Sequence, residues 1–203
     1  MNKSLLLLLA ACALPVALPG QAPAAAMAPA APLATLDAGA AAPDFTTLDV
    51  AGKEVRLSDF KGKIIVLDFW ATWCGPCIAS FPHTQEVAAK YKDQGVVVLA
   101  AGTSDTKDKF LQWIPANQGK YPDIRFTYDP KERGEDRASA KLYRVRGIPT
   151  QFIIGRDGVI AAVVVGNSPG DARAEAALAK LGVKVDAATV AKGEAQLKES
   201  AEE

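Results

Sequence analysis

A seven-residue apolar run that leads into a pair of cysteines constrains this chain more than any other feature. Ile64–Trp70 has the composition of a buried strand, and Cys74 and Cys77 follow it, separated by Gly-Pro. An amphipathic helical pattern starts at the second cysteine. A thiol in the first turn of a helix lies at the positive end of the helix dipole, which favours the thiolate. Because the thiolate is the nucleophile of disulfide exchange, the segment predicts redox chemistry.

The charge balance of the 203-residue chain argues against one large class of partners. Lys plus Arg and Asp plus Glu both number 23, so the formal net charge is zero. Since phosphate binding needs a basic surplus, we expect no nucleic-acid partner. Hydrophobic residues make up 49% of the chain, which is enough for one ordinary core.

The first residues have the pattern of an export signal. Lys3 precedes an apolar run at residues 5–18, which is shorter than the roughly 20 residues that a membrane-spanning helix needs. We therefore predict a signal peptide over residues 1–26 and a periplasmic or otherwise extracytoplasmic protein. Leu9–Cys12 also resembles a lipoprotein processing box. Lipidation of Cys12 is thus a second interpretation, and an uncleaved leader that anchors the protein in the membrane is a third.

Composition divides the rest of the chain into three parts. Ala and Pro dominate residues 27–41, which predicts a flexible linker. Strand and helix patterns fill residues 42–183, and we expect a polar, frayed tail over residues 184–203.

After signal cleavage only Cys74 and Cys77 remain, so no structural cysteine competes for pairing. An exported dithiol meets oxidising surroundings, so a reducing role requires a supply of electrons.

Strand and helix patterns alternate through the central part. The predicted elements are a hairpin turning at 51–53, a strand at 64–70, a helix from 77 to about 94, a strand at 96–101, a helix at 106–117, a strand at 124–128, a loop at 130–137, a short helix at 138–143, a hairpin turning at 155–158 and a helix at 171–181. This order predicts an α/β fold in which helices flank a central mixed sheet.

The residues around the cysteines carry a family resemblance. Trp73–Cys77 (WCGPC) matches the thioredoxin active-site motif residue for residue, and Gly147–Thr150 (GIPT) is similar to the cis-proline loop of that fold. Residues 42–63 resemble the TlpA/ResA-like thioredoxin-fold thiol:disulfide oxidoreductases, with an upstream hairpin related to the AhpC/TSA family. The resemblance covers residues 42–166. It implies a thioredoxin fold with an N-terminal β-hairpin and an inserted helix and strand, which residues 106–128 can supply.

The two cysteines receive different roles. The position at the helix start assigns the nucleophilic attack to Cys74, and the resemblance implies the same role. Cys77, one turn further on, would resolve the mixed disulfide by attacking the Cys74 sulfur. Half of a zinc site is the alternative, but zinc needs further soft ligands, and the chain has one histidine, His83, which we expect on a helix surface. We therefore predict neither a metal nor a cofactor.

A carboxylate interrupts the apolar strand six residues before the first cysteine. Burial disfavours the charged form of Asp68 and raises its pKa, so that it can exchange a proton when Cys77 reacts. The resemblance to thioredoxin supports this role as proton partner, although many TlpA-like chains carry Asn here. An aspartate satisfied by a local hydrogen bond at a strand end is the alternative interpretation.

Five residues are predicted to face the substrate: Trp73, Gly75, Pro76, Ile148 and Pro149. Trp73 would present a flat surface beside the sulfur, and Pro76 limits how far the loop relaxes between dithiol and disulfide. A cis Pro149 would let an extended substrate segment pair with the Ile148 backbone. An ordinary trans proline at a turn is the alternative.

The resemblance raises one further expectation about charged residues. The family brings a glutamate from its inserted region near the active site, and Glu132 and Glu135 are the candidates here, with a solvated charge run as the alternative. The chain departs from the family at Ile78 and Ser80, where TlpA-like helices often carry a basic and an acidic residue.

Together these patterns predict an exported thiol:disulfide oxidoreductase that acts as a protein-disulfide reductase. The resemblance implies oxidised protein substrates, with apocytochrome c in cytochrome c maturation as a candidate, and a membrane thiol:disulfide electron donor; we expect a monomer. A thioredoxin-fold peroxidase is an alternative, but Leu67 and Ala71 replace the Pro and Thr of its Pro-x-x-x-Thr-x-x-Cys motif. A redox-regulated binding module is the non-enzymatic alternative.

Overall fold

The computed structural model describes residues 36–167 and 169–202. Its strands are β1 (Thr46–Leu48), β2 (Glu54–Arg56), β3 (Ile64–Trp70), β4 (Val96–Gly102), β5 (Ile124–Tyr128), β6 (Thr150–Ile154) and β7 (Ile160–Val165). Its helices are α1 (Gly75–Tyr91), α2 (Lys107–Asn117), α3 (Ala138–Lys141), α4 (Arg173–Lys180) and α5 (Ala187–Glu202). The strands form one mixed sheet in the order β2-β1-β5-β4-β3-β6-β7. The predicted α/β fold is confirmed.

Strand β3 lies inside the sheet because apolar residues cover both of its faces. It pairs in parallel with β4 and antiparallel with β6, and all of its residues are buried. Side chains alternate along a strand. Leu67 and Phe69 therefore pack into the core that includes α3, whereas Val66 and Trp70 pack into the core under α1 and α2. The same alternation places Asp68 on the α1 side.

The connections between the parallel strands determine at which edge of the sheet the cysteines lie. Strands β3, β4 and β5 run parallel, joined through α1 and α2. Their carboxyl ends therefore meet at one edge of the sheet, where loops from separate parts of the chain converge. Helix α2 and strand β5 supply the predicted insertion, and the hairpin β1-β2 joins β5 through the pair Leu48 and Tyr128.

The N-terminal end of the domain differs from the prediction. Part of the expected linker at 27–41 pairs with the chain around β7: the Gly39 amide donates to the Ile160 carbonyl at 2.8 Å, and Ala41 forms a bridge with Val159. Backbone pairing needs no apolar side chain, so the Ala-rich composition of the segment does not indicate it.

The predicted signal peptide and Cys12 lie outside the described residues. No helix among the described residues is both long and apolar enough to cross a membrane.

The expected polar tail is instead helix α5, which packs against α4. A Cβ at Gly193 would collide with the Ala172 carbonyl, so only glycine permits this close approach. The Gln196 side chain then accepts a hydrogen bond from the Ala172 amide at 2.8 Å, at the start of α4. Gly193 and the side-chain amide of Gln196 make this contact. Because neither is apolar, the composition of the segment does not indicate that it packs against α4.

Candidate active site

Cys74 and Cys77 form a disulfide at the N-terminus of α1. Cys74 is the N-cap residue of the helix, and its Sγ lies 3.2 Å from the backbone amide of Cys77, which donates to it. Cys74 is 4% exposed and Cys77 is 1% exposed. In the dithiol form this amide and the helix dipole would stabilise a thiolate on Cys74, because both place partial positive charge at its sulfur.

Local geometry explains why the helix begins at this point. The Cys74 amide donates to the Ala71 carbonyl at 3.0 Å, which closes a turn after β3. Pro76 lies in the first helical turn, where the missing N–H costs no hydrogen bond. Asp105 holds the same loop, because its carboxylate accepts from the Thr72 amide at 2.7 Å.

Sequence reasoning missed Asp105. It is 5% exposed and comes shortly after β4, whereas Thr72 comes shortly after β3. The available signal was an acidic residue just past the end of the strand parallel to β3. Residues in these positions meet at one edge of the sheet.

The Ile148–Pro149 peptide bond is cis, as the motif predicts. The Ile148 carbonyl oxygen lies 3.8 Å from Cys74 Sγ, which is a contact and not a hydrogen bond because a disulfide sulfur carries no proton. Thr150 Oγ1 donates to the Gly147 carbonyl at 2.7 Å, and the Gly166 amide donates to the Pro149 carbonyl at 2.9 Å. These bonds fix the loop against the dithiol.

The five residues predicted to face the substrate differ in exposure. Trp73, Gly75 and Pro76 are exposed, Ile148 is half-buried and Pro149 is buried. Trp73 is 55% exposed, and its indole Nε1 donates to the Ser104 carbonyl at 3.0 Å, which orients the ring over the surface.

Asp68 is buried in mid-strand on the α1 side of the sheet, with 1% of its surface exposed. It lies opposite Gln151 in the register of β3 and β6, and Gln151 Nε2 donates to its Oδ2 at 3.0 Å. Within residues 36–167 and 169–202 its Oδ1 has no hydrogen-bond partner. Burial raises the pKa of Asp68 to about 7, against the opposing effect of the Gln151 hydrogen bond.

The remaining polar residues that the sequence analysis singled out have the following surroundings. Glu132 Oε1 accepts from the Lys107 amide at 3.2 Å, at the start of α2, and Glu135 is exposed. Ser80 is buried, and its hydroxyl donates to the Cys77 carbonyl at 2.8 Å. His83, expected on a helix surface, lies on α1 but is half-buried, and its Nε2 is 2.9 Å from Glu175 Oε1.

A cysteine pair that caps a helix beside a cis-proline, on a mixed sheet flanked by helices, defines the class of thioredoxin-fold thiol:disulfide oxidoreductases. The family model of the AhpC/TSA family matches residues 38–163. The chain therefore belongs to the AhpC/TSA family, and its relatives confirm the resemblance to the ResA branch. It is 34% identical over 131 residues to the thiol-disulfide oxidoreductase ResA of Bacillus thuringiensis subsp. konkukian, covering 64% of this chain and 71% of that protein.

Further relatives agree with this assignment. ResA of Bacillus subtilis (strain 168) is 33% identical over 132 residues, covering 65% of this chain and 69% of that protein. A crystal structure described as a thiol:disulfide interchange protein DsbE from Chlorobium tepidum is 39% identical, with a TM-score of 0.55, and covers 66% of this chain and 89% of that one. The exposed lipoprotein thioredoxin Etrx1 of Streptococcus pneumoniae is 32% identical, with a TM-score of 0.56, and covers 69% of this chain and 98% of that one.

Proposed function

We propose that this thiol:disulfide oxidoreductase is an exported reductase of protein disulfides that works through Cys74 and Cys77. The observation that carries the proposal is the position of the Cys74 sulfur. It lies at the helix N-cap, 3.2 Å from the Cys77 amide and 3.8 Å from the Ile148 carbonyl of the cis-proline loop. A nucleophile needs the first contact, and a docked substrate segment would use the loop that makes the second.

The first step is attack of the Cys74 thiolate on one sulfur of the substrate disulfide. A mixed disulfide forms between Cys74 and the substrate, and the second substrate sulfur leaves as a thiolate that takes up a proton. Trp73, Gly75 and Pro76 would border the incoming disulfide. An extended substrate segment would run along Ile148.

The second step releases the substrate. The Cys77 thiol loses its proton, and its sulfur attacks Cys74 Sγ, so that the Cys74–Cys77 disulfide forms and the first substrate sulfur leaves as a thiol. Two electrons thus pass to the substrate in one cycle, and its two thiols take up two protons from solvent, which balance the protons that Cys74 and Cys77 release. Asp68 would accept the Cys77 proton, a role supported by its burial on the α1 side and by a pKa of about 7.

Export and reductive direction are parts of the proposal. The leader pattern at residues 1–26 supports export, as does the similarity to a lipoprotein described as exposed. Outside the cytosol the oxidised enzyme would be reduced again by a membrane thiol:disulfide carrier. The names of the ResA and DsbE relatives support thiol:disulfide exchange. A place in cytochrome c maturation, with an oxidised apocytochrome c as substrate, is the finer part of the proposal and comes from the resemblance to the TlpA/ResA branch.

Insulin disulfide reduction with dithiothreitol tests the activity. We expect turnover by the wild type and none by Cys74→Ser. Cys77→Ser should accumulate a mixed disulfide that mass spectrometry detects. Trapping by Cys74→Ser instead would show that the two roles are reversed, and absence of turnover by the wild type would refute the enzymatic proposal.

The reduction potential of the dithiol tests the direction. Equilibration with glutathione should give a reduction potential well below that of the strong oxidants, which is about −120 mV. A potential near that value would mean that the protein oxidises the thiols of its substrates and does not reduce their disulfides.

A further inference from the structure

A basic hollow lies beside the active site, and its cationic residues have no part in the two exchange steps. Its walls are Trp73, Ser104, Lys109, Arg133 and Arg137, and its volume is about 450 Å³. Lys109 is on α2, and the two arginines are on the loop between β5 and α3. Among the described residues that line the hollow, three are cationic and none is acidic.

The cations of the hollow are available to a ligand. Neither Lys109 nor Arg133 forms an ion pair with any described residue. Arg137 Nη1 donates to the Gly134 carbonyl at 3.1 Å, but its Nε is buried and has no hydrogen-bond partner in the described segments. Lys109 and Arg133 are exposed, so a carboxylate of a ligand in the hollow can pair with both side chains.

Three acidic residues of the neighbourhood have partners outside the hollow. Asp136 pairs with Lys141 at 2.5 Å, and Glu132 accepts from the Lys107 amide. Asp105 is buried and accepts from the Thr72 amide in the active-site loop. The loop 130–137 thus carries both signs of charge, but its two arginines line the hollow, whereas Lys131 and the exposed Glu135 do not.

Trp73 connects the hollow to the chemistry. It forms one wall, and the next residue is Cys74. Its ring is oriented by the bond to the Ser104 carbonyl, and Ser104 is itself a wall residue. A substrate whose disulfide reaches Cys74 across this ring therefore brings the adjacent part of its chain into the hollow.

We propose that the basic hollow binds an acidic segment that flanks the disulfide of the protein substrate. This inference rests on the proposed function, because it names the chemistry of the substrate at that site. The chain as a whole has zero formal net charge, so a preference for acidic substrates would come from this local surface. Complementary charge of this kind acts mainly on the association rate and weakens with salt.

Single-turnover oxidation of the dithiol-reduced protein by synthetic peptides tests the inference. Two peptides of equal length carry one identical disulfide, flanked by Asp and Glu in one and by Lys in the other. We expect the acidic peptide to react about tenfold faster at low ionic strength. The difference should largely vanish at 0.5 M NaCl, where charges are screened beyond about 4–5 Å.

Charge-reversal variants of the hollow are the second part of the experiment. The double variant Lys109→Glu, Arg133→Glu should lose or invert the preference, whereas Lys63→Glu, an exposed substitution just before β3 at the other end of that strand, should keep it. An uncharged disulfide should react at the same rate with all three proteins. Equal rates of the wild type with both peptides, or an unchanged preference in the double variant, would overturn the inference. Failure to react with any disulfide would instead refute the proposed function.

Discussion

Two buried carboxylates in this protein have opposite surroundings. Asp68, on β3, has the Gln151 amide as a hydrogen-bond partner, and burial raises its pKa to about 7. Glu175, in the first turn of α4, is 4% exposed and lies 2.9 Å from His83 on α1. One carboxylate faces a neutral amide, and the other faces a group that can carry a positive charge.

This difference separates a group suited to proton exchange from one suited to joining two helices. Without a cationic partner the ionised form of Asp68 is costly, so the proton is held until near neutral pH and can then be released. The Glu175 carboxylate beside the ring raises the pKa of His83, more than burial lowers it, so the pair ties α1 to α4. We therefore expect removal of the first carboxylate to slow the chemistry and to stabilise the fold at high pH, and removal of the second to destabilise the fold.

The largest expected effect is on the rate of reaction. Asp68→Asn keeps the shape and can still accept the Gln151 hydrogen bond, but it cannot accept a proton. We expect release of the substrate from the mixed disulfide to slow by about 100-fold. Stopped-flow measurement of the resolving step should give a pH profile with an inflection near pH 7 in the wild type and none in the variant. An unchanged profile would remove Asp68 from the mechanism.

The same substitution should stabilise the oxidised protein. The folded-state pKa of about 7 lies above the unfolded value, so the folded state binds the extra proton and loses stability as pH rises from about 4 through 7. Asp68→Asn has no such loss. Its free energy of unfolding should exceed that of the wild type by up to about 4 kcal/mol at pH 9, since one pKa unit is about 1.4 kcal/mol.

Urea unfolding at pH 5, 7 and 9 measures this gain. The advantage of Asp68→Asn should grow with pH over this range. A variant that is less stable than the wild type at pH 9 would mean that the carboxylate has a stabilising partner, and the contrast with Glu175 would then fail.

Removal of the second carboxylate should have the opposite result. Glu175→Gln leaves the half-buried His83 without its anionic neighbour, and we expect a loss of about 2 kcal/mol at pH 6. Glu86→Gln is the matched control, because the Glu86 side chain is 80% exposed and 3.9 Å from the same ring. It should cost less than about 0.5 kcal/mol. Both variants should reduce insulin at the wild-type rate, and a slowed Glu175→Gln would connect this pair to the chemistry.

The two carboxylates also differ in how far the sequence predicts them. Asp68 stands out because it interrupts an apolar strand near the WCGPC motif, and such local patterns indicate the elements and the cis Pro149 as well. Its partner Gln151 does not stand out. The bond between them depends on the register of β3 and β6, which joins residues 83 positions apart. Short-range spacing predicts elements, whereas register depends on the packing of the whole sheet.

The same limit explains the missed helix contacts. Glu175 and His83 meet because α4 packs near α1, and no periodicity in either helix indicates the other. The packing of helix α5 could not be predicted for a different reason, because its contact at Gly193 depends on the absence of a side chain. Hydrophobic pattern detects burial of large apolar groups and does not detect close backbone approach.

The smallest expected effect distinguishes the two carboxylates by pH. The raised pKa of His83 means that its pairing with Glu175 contributes stability below about pH 6.5, the unfolded value, and loses it as pH rises through the folded-state pKa. His83→Gln should therefore be about 1 kcal/mol less stable than the wild type at pH 6, with a smaller difference at pH 9. Raised pKa values at Asp68 and His83 thus give slopes of stability with pH that have the same sign. Substitution of Asp68 stabilises the protein at high pH, whereas substitution of His83 destabilises it at low pH. A double-mutant cycle with Glu175→Gln at both pH values isolates the pair. A coupling free energy that does not fall between pH 6 and pH 9 would show that the contact is not ionic, and Glu175 would then resemble Asp68 in lacking a charged partner.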